Sequence, residues 1–434
     1  MKIELIPHHT KISRKVTHLD VLAQLTAPAA KKAKKRPTLN LSIALDKSGS
    51  MAGDAFEQAK QATLNLLDQL NDTDRIAVVL YNGYPQIILA SAPVAQARKH
   101  LPYLLAAQMA AGSTALHAGW LAAAQQAAPH VGAYGISRVL LLSDGQATDG
   151  KKDCASLKEE AHQMFAAGIS TATYGLGAGF NENLMTSMAA GGMARYAQDA
   201  GELAPYFAAD FELLSQMVAP SVFLRVNAQT MDGTVVEIDQ MNDYPKEDDG
   251  FWRLPCAVSG AQTWAALRLK FPSLEKQSNI KLHADWKWKD MDGKLHVSSN
   301  DLDIAIGRQG KEDDHVLQRC SEAMAGRLAK RVAAEAKRGD LASATYTVGL
   351  MRSMGAGLNN AYIGGVSQSL ETMIARGDTV GLAKEAIYSS STMSNRVADI
   401  GESSVGLICD RFGLRKALQG KHTANKTPQP EVKS

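Results

Sequence analysis

The chain has 434 residues, 45% of them hydrophobic and 21% charged, with 47 Lys and Arg against 44 Asp and Glu. It is too long for one ordinary domain and apolar enough to bury a core, while a net charge of +3 leaves no electrostatic footprint for nucleic acid. No stretch reaches the roughly 20 apolar residues that span a bilayer, and the opening MKIELIPHHTKISRK has no apolar signal core, so a cytoplasmic protein without membrane insertion is expected. Cys154, Cys256, Cys320 and Cys409 share no metal-ligand spacing and read as reduced, structural thiols.

In chain order, LDVLAQLTAP alternates as a strand, and the basic AAKKAKKRPT that follows has no apolar period and reads as a solvated linker. From Leu39 to about Met217, apolar strands and helices alternate: LNLSIAL, RIAVVLYN, PQIILASAPV, SRVLLLSDG and ISTATYGLG are strands. The first intervening helix carries Phe56, Ala59, Thr63, Leu66, Leu67 and Leu70 near a 3.6-residue period, and CASLKEEAHQMFAAG is a helix closed by Gly168. Continuous apolar strands between helices predict a doubly wound, mostly parallel sheet, whose ligands gather at the carboxyl ends of the strands.

After Pro220 the texture changes to short alternating segments, among them SVFLRVNAQ, TVVEIDQ, TWAALRLKF and IKLHADWKWKD, which predict an antiparallel β-sandwich that the early LDVLAQLT can join. Helical pattern returns from about Asp314. The chain thus divides into an N-terminal strand and basic linker (1–36), an α/β domain (37–218), a β-sandwich (219–308), a helical segment (312–396) and a polar tail (397–434) expected to be partly disordered. Two RGD tripeptides, at 338–340 and 376–378, each end an Ala-rich helix and read as a C-cap glycine followed by an N-cap Asp.

The chemistry concentrates at the strand ends. Asp46, Ser48 and Ser50 form D-x-S-x-S directly after a buried strand, Thr114 lies in a GST turn, and Asp144 in an SDG turn after the VLLL strand. Carboxylate and hydroxyl oxygens from three loops at one sheet edge suit a hard divalent cation, Mg2+ first, with Mn2+ or Ca2+ as alternatives. The bland alternative is that D-x-S-x-S only caps a helix.

DKSGSM, GSTAL and LLLSDGQATDG together resemble the three motif loops of a von Willebrand factor A domain with its metal-ion-dependent adhesion site, over about Leu39 to Met217. That resemblance implies that Ser48 and Ser50 ligate the ion through their hydroxyls, that Thr114 joins in one loop state, and that Asp46 and Asp144 act largely through water. It implies an adaptor, not an enzyme, that grips an acidic residue of a partner protein through the metal. The rival is a metal-dependent hydrolase using His117, one helical turn beyond Thr114, although Leu116 and Trp120 beside it point to a packed histidine. Asp149 is a further rim carboxylate that reads as a solvated loop acid, and the glycines in AAGGMARY (189–196) read as a turn or, less simply, a hinge. The layout of strand, A domain, sandwich and helices also resembles bacterial A-domain proteins, some of them in stress or tellurite-resistance systems. Nothing in the residues sets the pathway or the oligomeric state.

Overall fold

A computed structural model describes residues 1–29, 36–177, 179–197, 200–231, 233–271 and 279–394. Most of the basic linker, Cys409 and the C-terminal tail lie outside the described residues.

Six strands build the central sheet, in the spatial order Pro85–Pro93, Arg75–Tyr81, Leu39–Asp46, Ile136–Ser143, Ile169–Leu176 and Gly191–Ala197. All neighbours are parallel except the Pro85–Pro93 edge strand, which pairs antiparallel with Arg75–Tyr81. Every residue of Leu39–Asp46 is buried, as a strand covered on both faces requires. Leu41, Ile43 and Leu45 face one core with helices α1 (Asp54–Gln69), α2 (Val94–Ala106) and α6 (Leu203–Ser215). The opposite face packs under α3 (Leu116–Ala127), α4 (Cys154–Ala166) and α5 (Glu182–Met188). The side-chain amide nitrogen of buried Asn40 donates there to the Ala127 carbonyl at 2.8 Å and to Ser137 Oγ at 3.0 Å. The strand order reverses direction between Leu39–Asp46 and Ile136–Ser143, and the crevice at their carboxyl ends is where such folds bind ligands.

The sandwich is discontinuous in sequence. Lys2–Pro7, His18–Thr26, Gln262–Lys270 and Glu237–Gln240 form one sheet, and Trp252–Leu254, Ser221–Thr230, Asn279–Lys289, Leu295–Ile306 and Lys11–Ile12 form the other. His18–Thr26 pairs along its whole length with Gln262–Lys270, so the predicted early strand does join the later ones. The two sheets close over Val21, Leu25, Leu224, Leu267, Leu282 and Trp286.

Helices α7 (Asp314–Lys337), α8 (Leu341–Gly357), α9 (Ala361–Ala375) and α10 (Thr379–Ser394) complete the described chain. Both RGD segments are helix junctions: Gly339 and Gly377 sit at φ +74° and +69°, which glycine adopts freely. The Asp340 carboxylate accepts from Ser343 N and that of Asp378 from Gly381 N. Gly191 and Gly192 open the strand Gly191–Ala197, where a Cβ on them would meet the Phe165 ring at 2.2 Å and the Thr171 carbonyl at 2.4 Å. Cys154, Cys256 and Cys320 are free thiols, and among the described residues no helix is long and apolar enough to cross a membrane.

Helix α10 reaches back to the central sheet. Its Tyr388 ring lies 6.0 Å from both Phe180 and Tyr196. Buried Lys384 donates to the Phe180 carbonyl, stands 3.1 Å from Glu182 and lies 4.0 Å from the Phe180 ring centre. Glu182 is partly exposed and keeps Lys337 at 2.7 Å, so removing buried Lys384 costs toward the lower end for a buried ion pair, about 3 kcal/mol. Lys384→Ala is therefore expected to speed amide hydrogen exchange across 379–394 by on the order of 100-fold and to leave residues 39–46 protected, as read by exchange mass spectrometry.

Candidate metal centre

Asp46 is the last residue of the central strand and has no exposed surface. Its Oδ1 accepts from the backbone N–H of Ser48 at 2.8 Å and its Oδ2 from Ser143 Oγ at 2.7 Å. The chain then turns through Gly49–Met51, whose N-cap Ser48 makes no side-chain cap bond, and α1 starts behind Gly53. The hydroxyls of D-x-S-x-S are thus not spent on capping. Ser48 Oγ instead faces Ser50 Oγ at 3.1 Å, and Ser50 Oγ donates to Asp144 Oδ1 at 2.8 Å.

Backbone hydrogen bonds hold the three loops together. Lys47 N donates to the Tyr81 carbonyl, Ala111 N to the Lys47 carbonyl and Gly49 N to the Gly112 carbonyl, at 2.8, 2.7 and 2.9 Å. Thr114 N donates to Thr148 Oγ1 at 2.7 Å, and the Thr114 carbonyl accepts from the N–H groups of Thr148 and Asp149 at 3.0 and 3.2 Å. Thr114 is thereby fixed beside the other donors: a Cβ on Gly145 would stand 3.4 Å from Ser50 Oγ and 3.6 Å from Thr114 Oγ1. All five predicted residues meet at one edge of the sheet. Asp46, Ser48 and Thr114 form its buried floor, while Ser50 and Asp144 form the rim.

The oxygen set fits a hard cation. Adjacent ligands of an octahedral Mg2+ with bonds of 2.0–2.1 Å lie about 2.9 Å apart, close to the separations along Ser48, Ser50 and Asp144. Burial pushes the Asp46 carboxyl up to about 6 against the opposing bonds from Ser48 and Ser143, and burial also raises Asp144. Such a pair of desolvated carboxylates is relieved by a positive charge. Both oxygens of Asp46 are already bonded, so Asp46 suits a supporting role behind Ser48, whereas Ser48, Ser50, Thr114 and Asp144 offer the inner oxygens.

Three contributors escaped the sequence reading. Ser143 holds Asp46, Thr148 holds Thr114, and Asn82 takes Ala115 N on its carbonyl while its side-chain amide donates to the Ala111 carbonyl. His117 is present but engaged elsewhere: its Nε2 lies 2.7 Å from Glu160 of α4, which also pairs with Lys151. Leu116 and Trp120 beside it are buried in the core, with Trp120 Nε1 donating to Thr171 Oγ1. Asp149 is exposed. Residues near Asp144 connect to the helical unit, because Gln146 Nε2 donates to the Gly179 carbonyl and Phe180 carries the contacts to Lys384.

The Asp46 shift sets a pH dependence. In the metal-free chain its folded value of about 6 lies above the ordinary 3.8, so the folded state keeps the proton to higher pH. The associated stability is complete below about pH 4 and is lost as the pH rises through about 6, a contribution of about 3 kcal/mol. In urea unfolding with EDTA, wild type is expected to lose about that much relative to Asp46→Asn between about pH 4 and 7, and excess Mg2+ is expected to remove the loss. A difference that stays flat with pH would contradict the buried-carboxylate assignment.

Residues 40–219 match the family model for the von Willebrand factor type A domain. The chain is 31% identical over 198 residues to the uncharacterized protein YfbK of Escherichia coli, covering 45% of this chain and 33% of that one. It is 29% identical over 227 residues to the uncharacterized protein sll0103 of Synechocystis, covering 46% and 51%. The chain therefore spans about a third to a half of the length of these curated relatives. Two solved structures share the fold over nearly the whole chain, sandwich and helices included. They are a von Willebrand factor type A protein from Catenulispora acidiphila (TM-score 0.65, 17% identity, 92% and 97% covered) and the ArnB paralog VWA2 from Sulfolobus acidocaldarius (TM-score 0.58, 15% identity, 91% and 98% covered). Residues 40–219 thus form a von Willebrand factor type A domain.

Proposed function

We propose that the chain is a metal-dependent protein-binding adaptor. A divalent cation, Mg2+ or Mn2+, sits among Asp46, Ser48, Ser50, Thr114 and Asp144 and takes an acidic side chain of a partner protein as a further ligand. The observation that carries this reading is the run of oxygens from Ser48 through Ser50 to Asp144 at octahedral-edge spacing, ending on the solvent-facing rim.

Charge balance explains why such a site binds an anion. Two carboxylates offset the two positive charges of the ion, and the remaining protein donors are neutral hydroxyls. The ion therefore keeps its Lewis acidity, and an incoming carboxylate meets no excess of negative charge. The sandwich and helices hold the A domain from behind through α10 and add contact surface.

Hydrolysis at the same centre would need a general base or acid in reach of the ion-bound water. The imidazole nearest in sequence is taken up by Glu160, which favours binding over turnover.

The test is capture of partners from a lysate of the source cell by wild-type chain and by a chain carrying Asp46→Ala and Ser48→Ala, each with Mg2+ and with EDTA. A protein retained by wild type in Mg2+, released by EDTA and absent from the variant is expected, and replacing one Asp or Glu of that protein by its amide should release it. Retention that ignores both EDTA and the substitutions would overturn the reading. His117→Ala is expected to leave capture unchanged, because its ring serves the α3 to α4 contact.

A further inference from the structure

A second cluster of metal-ligating side chains lies away from the A domain, where the sandwich meets the first long helix. His8 and His9 form the corner between strands Lys2–Pro7 and Lys11–Ile12, and Glu312 immediately precedes the N-cap of α7. One ring nitrogen from each histidine and a carboxylate oxygen of Glu312 lie within 4.8 Å of one another.

The backbone prearranges these groups. His8 N donates to the Asp20 carbonyl at 2.8 Å, Asp313 N donates to the His8 carbonyl at 2.9 Å, and His9 forms an antiparallel bridge with Glu312. The two rings lie tilted by 35° to each other, with centroids 4.2 Å apart. His9 is only 8% exposed, yet its Nδ1 has no hydrogen-bond partner, and neither has the buried Nε2 of His8. Buried polar atoms of this kind are nearly always satisfied, so two of them in one corner, beside a carboxylate, point to a ligand site.

The other nitrogen of His9 is already held. Its Nε2 lies 2.7 Å from Gln309 Nε2; with that side-chain amide rotated by 180°, the amide oxygen accepts the Nε2 proton and the Nδ1 lone pair is free for a ligand. This is how the second nitrogen of a metal-bound histidine is usually anchored.

We propose that His8, His9 and Glu312 bind a zinc ion that clips the N-terminal corner of the sandwich to the start of α7. Two imidazoles and one carboxylate are a zinc donor set, and water on the exposed Glu312 side completes the tetrahedron. Ligands of tetrahedral zinc lie about 3.4 Å apart for bonds near 2.1 Å, so closing from the present spread takes about 1 Å of side-chain movement. The donor set differs from the all-oxygen centre of the A domain, and the two sites select different ions.

The test is calorimetric titration of the metal-stripped full chain with Zn2+ in the presence of excess Mg2+. One zinc per chain is expected, both in wild type and in the chain carrying Asp46→Ala and Ser48→Ala. Replacing both His8 and His9 by Ala should weaken this binding by on the order of 100-fold or more, and the exposed substitution Glu312→Gln by about tenfold. Circular dichroism checks that the variants fold; if the histidine variant does not, Glu312→Gln carries the test. No zinc bound by wild type, zinc lost in the Asp46 and Ser48 variant, or zinc bound equally by Glu312→Gln would each overturn the proposal.

Discussion

The carboxylate of Asp46 stands at the end of the central strand with no exposed surface, and the architecture around it follows from making that position tolerable. An anion in a dry interior must be hydrogen-bonded, neutralised or protonated. The fold supplies two bonds, from Ser48 N and Ser143 Oγ, and the metal-free residue still titrates near 6. What remains is a local demand for positive charge. It sits in the crevice where the strand order reverses, so a cation can reach it from solvent past Ser50 and Asp144.

The turns that deliver Ser48 and Thr114 are anchored through backbone hydrogen bonds. The turn after Asp46 is bonded to the loops at Tyr81 and at 111–112, and the Thr114 turn is bonded to Thr148 and Asp149. Little side-chain entropy remains to be lost when an ion arrives, which is the sense in which the site is preorganised. The sandwich and the helices act on this arrangement from behind: α10 locks Phe180 and Glu182 through Lys384, and Gly179, one residue before Phe180, receives Gln146 from the loop that carries Asp144. The helical unit is thus physically continuous with one wall of the site.

Much of this was legible in the sequence, for a definable reason. The doubly wound sheet announces itself because its strands are apolar on both faces and its helices periodic, and the five oxygen donors sit in short segments directly after those strands. The less visible parts depend on contacts across sequence distance or on residues with common roles. Ser143 is buried in a strand of apolar neighbours, yet its hydroxyl is what holds Asp46; its place just before Asp144 was the available signal. Thr148 reads as an ordinary loop threonine until its Oγ1 is seen to take the Thr114 N–H. The sandwich was recognisable as alternating segments, but its two sheets interleave strands from either side of the A domain, and pairing of His18–Thr26 with Gln262–Lys270 has no local code. His8 and His9 are adjacent to each other, but Glu312 is brought to them only by the fold.

The account rests on the claim that the oxygens at the switch point form one hard-cation site. Anomalous diffraction from crystals of the full chain grown or soaked with Mn2+ addresses it most directly. The account predicts a manganese peak bounded by Ser48 Oγ and Ser50 Oγ, with Asp144 and Thr114 alongside and Asp46 behind. Well-ordered Ser48, Ser50 and Asp144 side chains with no manganese between them, at a concentration that loads other sites, would contradict it.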